Sequence, residues 1–271
     1  MYQIVNDLSW QAENIQWIEF ELSNNCQYAD YHSWCPRHYD KRELTFLPAS
    51  IVVKTIHFFK KFSFSGMIYL SGYSEPLIDP RFLLLVQFIK ENLPKCCISM
   101  FSNGLAADEN LLSDALNCGV DIIRLSIYSK EEGERLSRIS QKINSPRIIL
   151  HPRYDKSISN EGSGEGIDCR LNVYDEPQKG IEEPCFIPSM YYFVRNNGDV
   201  NMCFWDWKYT QVFGNLFHDS VEKTLMNSRR LEINDFLVNN RRNLVDVCSR
   251  CSLPAQRCIS EYQSRLKLKK G

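Results

Sequence analysis

Seven of the eleven cysteines stand where their spacing could gather metal. Cys248 and Cys251 form a CxxC pair between charged neighbours in "VCSRCSLPAQRC", with Cys258 seven positions further on. Upstream, Cys185 and Cys203 flank "MYYFVRNNGDVNM", two β-prone segments joined by Asn-Asn-Gly-Asp, which predicts a hairpin. A hairpin that carries two cysteines to a CxxC pair supplies four thiolates to one tetrahedral site, zinc or iron–sulfur. That set is complete with Cys185, Cys203, Cys248 and Cys251, leaving Cys258 outside it. The other pair, Cys26 and Cys35, lies in "SNNCQYADYHSWCPRH", where two thiols among His, Asp, Tyr and Trp decide nothing alone. Cys96, Cys97 and Cys118 sit in or beside apolar segments and are expected in core packing. Cys169 is isolated and carries no signal.

The elements that must position these residues alternate. Strands are predicted over "IQWIEFEL", "GMIYLSGY", "CCISMFSNG" and "DIIRLSIYS", and helices over "LPASIVVKTIHFFKKF", "DPRFLLLVQFIKENLP" and "DENLLSDALNCG". Repeated strand–helix units call for parallel strands, as an open sheet or a barrel. Each strand runs into a polar or glycine-bearing patch, "SNNC", "SGYSEP", "FSNG" and "SIYS", and in such folds the carboxyl ends of the strands carry the chemistry. Beyond "RIILHPRYD" the pattern weakens into the Gly/Ser-rich "KSISNEGSGEGID", with no full helix legible. After the hairpin one amphipathic helix is predicted over "SVEKTLMNSRRLEINDFL". The division expected is a main α/β domain over 1–181 and a small C-terminal hairpin-and-helix domain over 182–271.

Composition excludes some classes of partner. A formal net charge of −1 over 271 residues gives no electrostatic reason to bind nucleic acid or an anionic membrane. No run of 18 apolar residues occurs, and "MYQIVNDLSW" lacks the basic and apolar regions of a signal peptide, so a cytoplasmic location is expected. Eleven cysteines in a reducing compartment point to metal or redox chemistry before disulfides.

The pattern Cys185-x12-Gly198-x4-Cys203 resembles the C-x9–15-G-x4-C element of the SPASM and twitch extensions of radical S-adenosylmethionine enzymes, and "VFGNLFHDSVEKTLMNS" is similar to the segment that follows it there. In the first domain, "SGYSEPLIDP" resembles the family's GGEP strand end, "FSNG" its TNG, and "RLSIYS" its ribose-facing fourth strand. The resemblance spans nearly the whole chain. It implies a partial (β/α) barrel of TIM-like kind with a twitch domain, S-adenosyl-L-methionine as cofactor, and two 4Fe-4S clusters, one in the barrel and one auxiliary. Gly72, Glu75, Asn103 and Ser126 then become cofactor-binding positions, and a reducing donor such as flavodoxin or ferredoxin is the implied protein partner.

Two departures from the family pattern matter. The family's cluster loop is C-x3-C-x2-C, whereas here it is Cys26-x5-His32-x2-Cys35, so His32 is the expected third ligand, with Asp30, His38 or no third protein ligand as alternatives. Imidazole replaces thiolate in Rieske centres and raises the potential. In "SNEGSGEG", Glu161 stands where the aminocyclitol-oxidising branch tends to carry an Arg near the substrate, which makes it a candidate catalytic base. The implied reaction is hydrogen abstraction from a small polyol, aminocyclitol or sugar-like substrate, followed by oxidation through the auxiliary cluster. Modification of a ribosomal peptide, or a degenerate metal-binding protein without radical chemistry, are the competing readings.

Overall fold

The computed structural model describes residues 2–30, 35–153, 180–251 and 269–270. Its main sheet has eight strands in the order β6-β5-β4-β3-β2-β7-β8-β9. These are β2 (Trp17–Phe20), β3 (Met67–Tyr69), β4 (Cys97–Ser102), β5 (Ile122–Ile127), β6 (Ile148–Pro152), β7 (Tyr191–Val194), β8 (Asp199–Asn201) and β9 (Val212–Asn215). A separate short pair joins β1 (Tyr2–Gln3) to β10 (Lys269–Lys270). From β6 through β7 all neighbours are parallel, and β8 and β9 add an antiparallel meander. The hairpin therefore continues the barrel sheet, because β7 pairs directly with β2, with Trp17 opposite Tyr191 and Glu19 opposite Phe193.

Alternation along the strands separates two faces. Ile18, Phe20, Ile68, Ile98, Met100, Ile123, Leu125, Tyr192 and Val194 pack in one core with α3 (Ala49–Lys60), α4 (Phe82–Asn92), α5 (Glu109–Cys118) and α6 (Lys130–Ile143). The other face carries Trp17, Glu19, Tyr69, Phe101, Arg124 and Ser126, and there Phe101 is 39% exposed. The helices α3 to α6 cover one face, while the other keeps polar and aromatic side chains along β2 to β5 and, at its hairpin end, a second core in which Ile233 and Leu237 of the helix Ser228–Val238 pack with Trp17, Tyr191 and Phe193. With its inner wall left accessible beyond that core, the sheet is a partial barrel and not a doubly wound sheet. This settles the choice between open sheet and barrel.

The helix termini follow local chemistry. Asp108 caps α5 by accepting from the Leu111 N–H, and Gly119 ends it at φ +117°, where a Cβ would be strained. One helix was not read from the sequence and one expectation needs correction, while the Gly/Ser-rich segment after "RIILHPRYD" lies outside the described residues. The unread helix is α6, before "RIILHP", capped by Ser129 through the Glu132 N–H, with Glu131 and Glu132 in its first turn and Asn144 in the left-handed region at its end. The helix predicted over "SVEKTLMNSRRLEINDFL" is two helices, Val221–Leu225 and Ser228–Val238, because Asn227 turns its side chain onto the Arg230 N–H and starts a new one. Of the thiols expected in core packing, Cys96 is buried, while Cys97 and Cys118 are only partly so. Among the described residues no helix is long and apolar enough to cross a membrane.

Candidate active site at the barrel mouth and hairpin

The loop that leaves β2 is pinned at both ends. Asn24 donates to the carbonyls of Arg42 and Glu43 and accepts from the Thr45 N–H, which folds the segment back on itself. The Asn25 carbonyl accepts from the Glu75 N–H at 2.8 Å, fastening the loop to the end of β3. Cys26 and Cys35 are both half-buried on this loop, Cys35 directly before the short helix α2 (Pro36–Tyr39). Burial pushes the Cys26 thiol up to about 12, with the Glu75 carboxyl and Cys35 adding to the shift and a hydrogen bond from Asn103 opposing it. The two thiols are thus electrostatic neighbours. His32 and Ser33 lie outside the described residues. Of the alternative ligands, His38 has its Nδ1 2.9 Å from the Ala29 carbonyl, and Asp30 is exposed.

The expected cofactor positions converge on this loop. Glu75 is buried and joins two strand ends, accepting from the Leu77 N–H at 3.1 Å and the Asn103 N–H at 2.7 Å. Burial raises its carboxyl to about 7 in spite of these donors. Asn103 places its Nδ2 3.7 Å from Cys26 Sγ and 3.2 Å from Gln27 Oε1. Ser126 is buried and hydrogen-bonds the Tyr128 hydroxyl, whose own titration is raised by burial and also feels Cys35 and Cys26. Gly72, at φ +54°, packs so closely that an added Cβ would lie 2.7 Å from Glu21 Cβ. Its N–H donates to Glu19 Oε1 at 2.8 Å.

Glu19 was not singled out from the sequence, where it is one charge in "WIEFEL". It stands on the inner wall and also accepts from the Tyr191 hydroxyl. Tyr191 is buried, its titration raised well above ordinary by burial, by Glu19 and by Cys203. Gly72, Glu19, Tyr191 and Cys203 therefore form a line of neighbours from the end of β3 to the hairpin. Alternation does place Glu19 on the inner face, but only the pairing of β2 with β7 brings it to Tyr191.

Cys185, Cys203, Cys248 and Cys251 line one narrow cavity with Met202, Trp205 and Arg242. The elements explain the convergence. The Cys185 N–H bonds the Leu237 carbonyl of the long C-terminal helix, Cys203 follows β8, and Cys248 belongs to the short helix Asp246–Ser249. The Trp205 N–H donates to Cys203 Sγ at 3.4 Å. Burial raises the thiols of Cys185, Cys203 and Cys248, and for Cys203 and Cys248 the neighbouring thiols raise them further, while Arg242 lowers Cys185 and Cys248. Four sulfurs, that of Cys203 buried and the others partly so, with one N–H donor and one guanidinium nearby match the donor set of a thiolate-held cluster, whose iron would favour the deprotonated thiols. Among the described residues no three His, Cys, Asp or Glu side chains are gathered tightly enough for a single metal ion. Cys258 and Glu161 lie outside the described residues.

Comparison with known proteins agrees with this geometry. Residues 185–252 match the SPASM iron–sulfur cluster-binding domain. The S-adenosyl-L-methionine-dependent 2-deoxy-scyllo-inosamine dehydrogenase of Niallia circulans is 23% identical over 248 residues, 90% of this chain and 96% of that protein. The crystal structure of BtrN in complex with AdoMet and 2-DOIA has a TM-score of 0.71 at 20% identity, covering 88% of this chain and 93% of that one. Native anSMEcpe with bound AdoMet has a TM-score of 0.54 at 11% identity, covering 92% and 97%. The chain thus has the fold of the radical S-adenosylmethionine enzymes, carries a SPASM domain at residues 185–252, and resembles 2-deoxy-scyllo-inosamine dehydrogenase.

Proposed function

We propose that the protein oxidises an alcohol carbon of a small polyol, aminocyclitol or sugar-like substrate by radical S-adenosylmethionine chemistry. The observation that carries this reading is the convergence of Cys185, Cys203, Cys248 and Cys251 on one cavity, with Cys203 an electrostatic neighbour of the Glu19–Tyr191 pair. Those four cysteines would hold an auxiliary 4Fe-4S cluster, and Cys26, His32 and Cys35 the barrel cluster. When bound, the cofactor and clusters supply the hydrogen abstraction and the removal of the second electron. The remaining work falls to the chain. Glu75 and Asn103 fix the strand ends against the cluster loop. Glu19 and Tyr191, held to one another and to Gly72, present an oriented carboxylate and hydroxyl on the inner wall. Glu161 accepts the proton of the substrate hydroxyl, and flavodoxin or ferredoxin is the electron donor.

The test is anaerobic reconstitution with iron and sulfide, followed by reduction in the presence of S-adenosylmethionine. Wild-type protein should release 5′-deoxyadenosine, and Cys203→Ala should lose about half of the bound iron. Zinc in place of iron at the four-cysteine site, or reconstituted protein that never releases deoxyadenosine, would overturn the reading.

A further inference from the structure

A second cavity, about 430 Å³, opens between α2, the segment that follows it and the loop after β8. Its volume falls within the range of small-molecule pockets, roughly 300–1,000 Å³. None of the described cysteines lines it, and its described charge is mostly positive. Among the described residues Arg37, Lys41, Arg42 and Arg195 line it against one carboxylate, Asp40. Asp40 is already engaged, accepting from the Arg42 backbone N–H at 3.0 Å and from its Nε at 2.8 Å. Arg42 spends a further donor on Asn196 Oδ1 at 3.0 Å.

Arg195 is in a different situation. Its side chain is 4% exposed, and its guanidinium lies 3.0 Å from the centre of the Tyr209 ring. Glu21 and Asp199 approach it at 3.6 and 3.9 Å, close enough for charge pairing but beyond hydrogen-bond length. Counting both of them with Asp40, four cations face three carboxylates among the described residues. Among the described residues Arg195 Nε and Nη2 have no hydrogen-bond partner, and neither has the buried Nε of Arg37 in the same cavity wall, whose Nη1 donates to the Asp40 carbonyl at 2.6 Å. Buried charged donors without an acceptor are costly, so two guanidinium groups left this way around one cavity call for an acceptor inside it. The planar fork of arginine fits a carboxylate or a phosphate, each of which presents paired oxygens.

We propose that this cavity binds the anionic group, carboxylate or phosphate, of a small molecule, with Arg195 and Arg37 as its donors. The rings of Tyr39 and Trp207, 5.9 Å apart at the cavity wall, offer an apolar surface for the rest of that molecule. The inference stands apart from the radical reading, since it uses no cluster ligand and no cofactor position.

The experiment is calorimetric titration of anaerobically reconstituted protein with glucose 6-phosphate, glucuronate and glucose. At least one of the two anions should bind while glucose does not, and the stronger anion identifies the group. Loss of charge-assisted hydrogen bonds predicts binding about tenfold or more weaker in Arg195→Gln, and weaker by a smaller factor in Arg37→Gln. Arg195→Gln also removes one of the two guanidinium groups beside the buried Glu21, leaving it Arg42 at 3.9 Å and the Asn196 N–H at 3.3 Å, so if it does not fold, Arg37→Gln carries the test, with iron content reported alongside. The proposal is overturned if neither anion binds better than glucose, or if the folded arginine variants bind the anions as tightly as wild type.

Discussion

Replacing Glu75 by Gln should change stability with a sign that depends on pH. The carboxyl is 2% exposed and accepts two backbone N–H groups, from Leu77 and Asn103. An amide keeps one acceptor oxygen and turns an NH2 toward the other donor, which leaves a buried N–H unsatisfied at a cost of about 1–3 kcal/mol. A second effect opposes this one. Burial raises the Glu75 carboxyl to about 7 from an ordinary 4.5, so the native state holds the proton more tightly than the unfolded chain. The resulting stability is fully present below pH 4.5 and is lost as pH rises to about 7, on the order of 3 kcal/mol at 1.36 kcal/mol per unit. The substituted amide does not titrate and escapes that loss. Urea unfolding of iron-free protein should therefore find Glu75→Gln less stable than wild type at pH 5, and equal or more stable at pH 8. A difference between the two proteins that stays the same at both pH values would refute the assignment of Glu75 as a buried carboxyl protonated in acid.

The other expectations concern the loops and the tight strand end. Gly72→Ala should destabilise by at least about 1–2 kcal/mol from the left-handed backbone alone, with the 2.7 Å approach to Glu21 Cβ adding to it, as read by urea midpoint. His32→Ala should lose barrel iron and keep auxiliary iron, whereas His32→Cys should keep both and lower the barrel-cluster potential, measured by redox titration. Cys258→Ala should retain the auxiliary iron that Cys251→Ala loses, by iron analysis after anaerobic reconstitution. Glu161→Gln should keep iron and thermal transition but lose product formation, and unimpaired turnover would make Glu161 a surface glutamate.

The strands and helices of the barrel half are legible because their signals are local. Alternation gives β2 to β5, and Asp108 with Gly119 brackets α5. Helix α6 has equally local caps in Ser129 and Asn144, but its buried stripe is thin, with Gly133 and Leu136 as its buried residues, so apolar periodicity hardly marks it. The break at Asn227 turns on whether an Asn side chain takes up an N–H, which composition does not decide. At the site, cysteine spacing identifies four residues that do share one cavity. Glu19 escaped notice because a carboxylate in a strand gains meaning only from what lies opposite it, here Gly72 and Tyr191, which are 53 and 172 positions away.

The pairing of β2 with β7 ties the two thiol sites together. Cys26 follows the end of β2 by six residues, while Cys185 precedes the start of β7 by the same number, and β2 and β7 run parallel in register from Trp17–Tyr191 to Phe20–Val194. The barrel loop therefore leaves one end of this strand pair, and the first hairpin cysteine enters at the other. The pair itself is about 13 Å long, at 3.3 Å per residue. The hydrogen-bonded register fixes where the loop to Cys26 leaves the strand pair and where the segment from Cys185 enters it, with Glu19 and Tyr191 on the inner wall between those two points. A substrate lying between them would meet these two side chains at positions set by the sheet.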